Sequence, residues 1–142
     1  MERALERVGG EVQMVLYPFV LNPRSNVATQ AALCAGEQGK FWEFHRMLYA
    51  RQDQWSQLSD PLEFLLGHAE ALGVEKTALQ SCVKSGRMQQ LIDADQTYGR
   101  SLGVRSTPTL FINNQRLVGT QTEGDLVRVI REELARARRA SS

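Results

Sequence analysis

The chain has 142 residues, enough for one domain with a sizeable hydrophobic core. Hydrophobic residues make up 42%, charged residues 23%, and the net charge is +1, so no excess of basic charge points to nucleic acid or to an anionic membrane surface. No apolar run is long enough to span a bilayer, and Met1 to Val8 is charged and helix-prone, unlike a signal peptide.

In chain order, Met1 to Val8 is helical by composition, with Ala4, Leu5 and Val8 along one face, and Gly9-Gly10 stops it. Glu11 to Tyr17 alternates at first and is then continuously apolar, which predicts a strand buried on both faces and ended by Pro18. Phe19 to Ser25 reads as a loop punctuated by Pro23. Asn26 to Gln38 is predicted as a helix with Val27, Ala31 and Cys34 or Ala35 inward. Lys40 to Gln52 follows as another, carrying Phe41, Trp42, Phe44, Leu48 and Tyr49. Asp60-Pro61 pairs an N-cap with proline at the first helical position, which predicts a helix to about Leu72, stopped by Gly73. Glu75 to Ser85 ends at Gly86. Arg87 to Leu102 is a longer helix with Leu91, Ala94, Tyr98 and Leu102 roughly in line.

The segment Gly103-Val104-Arg105-Ser106-Thr107-Pro108-Thr109-Leu110-Phe111-Ile112-Asn113-Asn114-Gln115-Arg116-Leu117-Val118-Gly119 is the most informative. Thr109 to Ile112 is β-branched and aromatic, a strand signature. Asn113-Asn114 tolerates positive φ and predicts a tight hairpin returning through Arg116 to Val118. Pro108 stands at the first strand residue, where a missing N–H does least harm. The residues alone leave two alternatives, an ordinary trans proline or a cis Thr107–Pro108 bond that leaves the backbone of Arg105 to Thr107 exposed at the strand end. A last helix begins at Thr122, which forms a capping-box pattern with Asp125, and buries Leu126, Val129, Ile130 and Leu134. Arg136, Arg138 and Arg139 read as a solvated tail at the negative helix pole rather than a nucleic-acid patch.

Three segments in this order resemble the DsbA-like thioredoxin-fold disulfide oxidoreductases. The hairpin segment is similar to the family's cis-proline region. Ala31-Ala32-Leu33-Cys34-Ala35-Gly36-Glu37-Gln38-Gly39-Lys40-Phe41-Trp42-Glu43-Phe44-His45 is similar to its first insertion helices. Tyr98-Gly99-Arg100-Ser101-Leu102-Gly103-Val104 is similar to the lead-in to its proline. The resemblance implies an α/β, thioredoxin-like sheet with an α-helical insertion at about residues 26–102, all within a single domain of residues 1–142. It implies substrate contact through Arg105, Ser106, Thr107 and Pro108, protein or peptide thiols as partners, and an extracytoplasmic setting.

The family's chemistry needs a Cys-x-x-Cys pair at a helix N-terminus, where the helix dipole and free N–H groups lower a thiol pKa for attack on a disulfide. The sequence contains no such pair and no strand ahead of its first helix. On the resemblance it starts one strand and half a helix late, as a truncated or a degenerate member. The expectation is therefore a protein inactive in dithiol exchange, with catalytic residues: none. Strand edges left open by the missing central strand would favour a strand-paired or swapped homodimer. Alternatives are a non-catalytic peptide-binding or assembly module, and a glutathione-using relative of the kappa-class kind.

Cys34 and Cys82 lie 48 positions apart, either as two buried thiols or as a disulfide. The family resemblance implies a structural cystine joining the two insertion helices. Cys34, Cys82, His45 and His68 match no zinc spacing, so no metal and no cofactor is expected. His45 is expected to pack or cap, His68 to face solvent, and Phe41, Trp42 and Phe44 to lie in the core. Asp93 and Asp95 fall on different helix faces, which argues against a carboxylate pair. The Gly103 loop lacks the lysine of a phosphate-binding loop.

Overall fold

The structure is a computed structural model, and it describes residues 1–141. It divides into two compact units. One is the helical stretch Tyr17–Gly99, and the other joins Met1–Leu16 to the chain from Arg100 onward.

In the helical unit, α2 (Pro23–Gly36) is the central element, packed by α3 (Phe41–Ala50), α5 (Leu62–Ala69) and α6 (Lys76–Ser85). Its inner face is lined by Ala28, Ala31, Ala32 and Ala35, small residues that let three helices approach closely. The helix starts three residues earlier than expected. Asn22 accepts a hydrogen bond from the Ser25 N–H (2.9 Å) as the N-cap, and Pro23 occupies the first helical position instead of punctuating a loop. Phe44, Leu65, Leu66 and Leu79 fill the core around it. A short helix that sequence reasoning missed, α4 (Gln52–Trp55), buries Trp55, whose indole N–H donates to the Leu48 carbonyl (2.8 Å). Asp60 accepts from the Leu62 N–H (3.0 Å) and opens α5, which tightens into a 3₁₀ turn at Glu70–Leu72.

The line Leu91, Ala94 and Tyr98 on α7 (Gln89–Ser101), with Leu102 just past its end, is exposed, not buried. The inward line is Met88 and Ile92, continued by the half-buried Asp95, Gln96 and Gly99. Polar residues on the packed side point the apolar pattern to the wrong face. Tyr98 still finds a partner, its ring 5.6 Å from that of Tyr17.

In the other unit, β1 (Thr109–Ile112) and β2 (Gln115–Val118) form an antiparallel hairpin, the whole of the sheet among the described residues. The segment Glu11 to Tyr17, expected as a buried strand, forms none; Val15 is 61% and Tyr17 54% exposed. β-propensity describes fit to a pleated, partnered surface, and this segment has no ladder partner. Leu110, Ile112 and Leu117, together with Val8, pack against a cluster of Ala4 of α1 (Glu2–Val8) and Leu126 and Val127 of α8 (Glu123–Ala140). Thr122 caps α8 by accepting from the Asp125 N–H (3.1 Å), while its hydroxyl donates to the Asp125 carboxylate (2.6 Å).

Arg136, Arg138 and Arg139 are exposed at the end of α8, as expected of a solvated tail, and two of them also hold carboxylates. Arg138 is bonded to Glu11 (2.6 Å), and Arg136 donates to Glu133 (2.6 Å). Glu133, only 4% exposed, takes the buried place expected of Leu134, which is half-buried. Arg136 supplies the counter-charge that burial of a carboxylate demands.

Cys34 on α2 and Cys82 on α6 are joined in a disulfide with Cα atoms 5.9 Å apart, and both residues are buried. Closing a loop of 48 residues is worth about 4 kcal/mol in the chain-entropy account. Replacing both cysteines by alanine should lower the unfolding free energy by about 2–4 kcal/mol, read as a lower urea midpoint, and reductant should then have no further effect.

Glu75 caps α6 by accepting from the Thr77 (2.8 Å) and Ala78 (2.6 Å) N–H groups, and these bonds hold its carboxyl below the ordinary value of 4.5. Its contribution is therefore complete above the unfolded-state pKa and is lost as pH falls through the lower folded-state value. Between about pH 5 and about pH 3, urea titrations should show Glu75→Gln losing less stability than the unaltered chain.

Candidate functional site

The loop from Gly103 to Pro108 joins the end of α7 to β1, and the four residues singled out in it, Arg105, Ser106, Thr107 and Pro108, are all exposed. The Thr107–Pro108 peptide bond is cis. At its far end the Pro108 carbonyl accepts from the Gly119 N–H (2.8 Å). That bond makes Pro108 and Gly119 a hydrogen-bonded pair of the ladder. An ordinary residue at position 108 would donate back to the Gly119 carbonyl, and proline cannot. Gln121 fills the place: its Nε2 donates to the carbonyls of Gly119 (3.1 Å) and Val118 (3.2 Å).

Two more carbonyls of the loop are held. The Thr109 hydroxyl donates to the Ser106 carbonyl (2.7 Å), and Arg116 donates through Nη2 to the Gly103 carbonyl (2.6 Å). Among the described residues no hydrogen bond holds the backbone of Arg105 or Thr107. The arrangement therefore braces the loop at Gly103, Ser106 and Pro108 and, among the described residues, leaves the N–H and C=O groups of Arg105 and Thr107 unpaired. Such groups can pair with an extended backbone laid alongside. Sequence reasoning missed Thr109, Arg116 and Gln121 as supports; only the alternation of the strands hinted that Arg116 would stand opposite Phe111.

The other residues singled out divide as follows. Cys34 and Cys82 are both consumed by the disulfide, and no free cysteine occurs among the described residues. His45 packs among rings, 5.7 Å from Phe41 and 4.9 Å from Tyr49. His68, expected to face solvent, is half-buried with Nδ1 2.9 Å from the Phe64 carbonyl oxygen, because the turn of α5 lays it over Phe64. Phe44 is core, while Phe41 and Trp42 are half-buried. Asp93 accepts from Gln89 (2.8 Å), and burial pushes the Asp95 carboxyl up. Among the described residues no group of three or more His, Cys, Asp or Glu is placed to hold a metal ion. Within the helical unit a cleft of about 390 Å³ runs between Leu21, Asn22 and Asn26 on one side and Gln89, Ile92 and Gln96 on the other.

A family model described as Thioredoxin matches residues 4–132. The chain belongs to the thioredoxin family. That membership associates it with thiol–disulfide oxidoreductase-like function. The chain is 33% identical over 100 residues to a Na(+)/H(+) antiporter NhaA 1 of Salinispora arenicola, which covers 70% of this chain and 15% of that protein. It is 31% identical over 122 residues to NhaA 3 of Salinispora tropica (83% and 17%) and 25% identical over 112 residues to NhaA of Herminiimonas arsenicoxydans (79% and 17%). The match thus spans about one sixth of the length of these curated relatives. No solved structure matches the chain. No helix among the described residues is long and apolar enough to cross a membrane.

Gly103 has φ +75, in the left-handed region, and a Cβ there would lie 3.4 Å from Nη1 of Arg116. Gly103→Ala should cost about 1 kcal/mol, read as a lower urea midpoint.

Proposed function

We propose that the chain is a DsbA-like scaffold of the thiol–disulfide oxidoreductase kind. Its working surface is Arg105, Ser106, Thr107 and Pro108, which contact extended segments of protein or peptide thiol substrates. One observation carries this reading: the loop is braced at Gly103, Ser106 and Pro108 while Arg105 and Thr107 are exposed and, among the described residues, their backbone is unpaired. A chain bound there gains main-chain hydrogen bonds whatever its sequence, which suits a protein that must accept many partners. The exposed guanidinium of Arg105 favours substrates with a carboxylate nearby.

Dithiol exchange needs a thiolate, and both sulfurs here are buried in a bond between helices. Binding without exchange is accordingly the activity proposed for this chain. A buried cystine also suits an oxidising compartment.

The test uses a fluorescent ten-residue peptide with one S-methylated cysteine. It should bind with amide shift changes centred on Arg105, Ser106 and Thr107, and the chain should not reduce insulin with dithiothreitol. Insulin reduction that disappears in the Cys34→Ala, Cys82→Ala chain would overturn the absence of exchange. Shifts elsewhere would overturn the surface, and glutathione binding in place of the peptide would favour the kappa-class kind of relative.

A second reading follows from the named relatives. In it the chain serves a sodium–proton antiporter as a peripheral module rather than a free-standing protein. Retention of such an antiporter on the immobilised chain, lost with Arg105→Glu, would favour it.

A further inference from the structure

We infer that Arg116 is a positioning residue for the loop, holding the Gly103 end in the shape that presents Arg105 and Thr107. The inference rests on the reading of that loop as a peptide-contacting surface. Its own basis is separate and geometric. Arg116 lies on β2, thirteen residues from Gly103, yet its guanidinium forks to two carbonyls of the turn just past α7: Nη2 to Gly103 at 2.6 Å and Nη1 to Leu102 at 3.4 Å. That turn follows the negative end of a helix, so a guanidinium suits its carbonyls. Gly103 turns the chain there with φ +75, its N–H donating to the Arg100 carbonyl (2.9 Å). The ring of Phe111, directly across the ladder, lies 5.7 Å from the guanidinium carbon and steadies the fork from the hairpin side.

The consequence is that one end of the loop is tied to the register of the hairpin. Pro108 is bonded to Gly119 at one end, Gly103 to Arg116 at the other, and both partners are on the strand side. Among the described residues the stretch between has only the Ser106 brace, so its shape follows from where its two ends are fixed. A lysine keeps the charge but lacks the planar fork that reaches two carbonyls.

The experiment compares amide hydrogen exchange and peptide binding in the unaltered chain, Arg116→Lys and Arg116→Gln, using the S-methylated peptide. In Arg116→Gln, exchange should quicken at Val104 to Thr107 while Leu110 and Leu117 stay protected, and peptide affinity should fall about tenfold. Arg116→Lys should fall between the two. Unchanged exchange in the loop, or equal loosening of loop and hairpin, would overturn the inference. If Arg116→Gln fails to fold, loop exchange in Arg116→Lys decides on the same criterion. Loop loosening in a protein that binds no peptide even unaltered would uphold the clamp and sink the binding reading.

Discussion

Register in the hairpin is the constraint on which the surface depends. The turn at Asn113–Asn114, with φ +50 at Asn113, sets Ile112 opposite Gln115 and hence Thr109 opposite Val118. That register faces Leu110, Ile112 and Leu117 toward Ala4, Leu126 and Val127. A slip of one residue would turn every one of these side chains to the opposite face. The same register sets the Pro108 carbonyl opposite the Gly119 N–H and brings Arg116 alongside Phe111. Apolar burial on one face of the sheet and presentation of the loop at its end are thus a single condition.

What could be read from the residues follows the range of the interaction behind each feature. The hairpin, the Thr122 cap and the Gly103 turn are local, and their residue types announce them within a few positions. Glu11 to Tyr17 has strand-forming residues, but a strand also needs a neighbour, and composition carries no information about one. The inward face of α7 eluded periodicity because Asp95 and Gln96 lie on the packed side while Leu91 and Tyr98 do not. Asn22-Pro23 was misread because the same dipeptide serves as loop punctuation and as a helix start. The Cys34–Cys82 pairing was legible only through family resemblance, since spacing does not choose between two thiols and a bond. Arg116 was not legible as a clamp at all, because its partners lie thirteen and fourteen residues away across a loop.

Sulfur has a structural part in this chain. The disulfide lies between α2 and α6, where both cysteines are buried. The N-terminus of α2 is occupied by Asn22 and Pro23, a cap that satisfies the Ser25 N–H internally. The chemistry of thioredoxin-family proteins depends on thiolates held at a helix start, and no cysteine here stands at one. On the function proposed for it, the chain meets a partner through loop backbone rather than through a reactive side chain.

The loop is also where small energies decide. Fixing the backbone of one residue costs about 1–2 kcal/mol, and a hydrogen bond from a charged donor returns about 1.5–3 kcal/mol. The Arg116 bond to Gly103 is thus comparable to the cost of ordering one or two residues, which is the distance from Gly103 to Arg105. Arg116 is itself exposed, so solvent and salt weaken its bond toward the lower end of that range. Order at Arg105 and Thr107 then stands close to balance in the absence of a partner. A peptide that hydrogen-bonds both backbones would tip that balance, and its affinity would depend on salt through an arginine outside the contacted stretch.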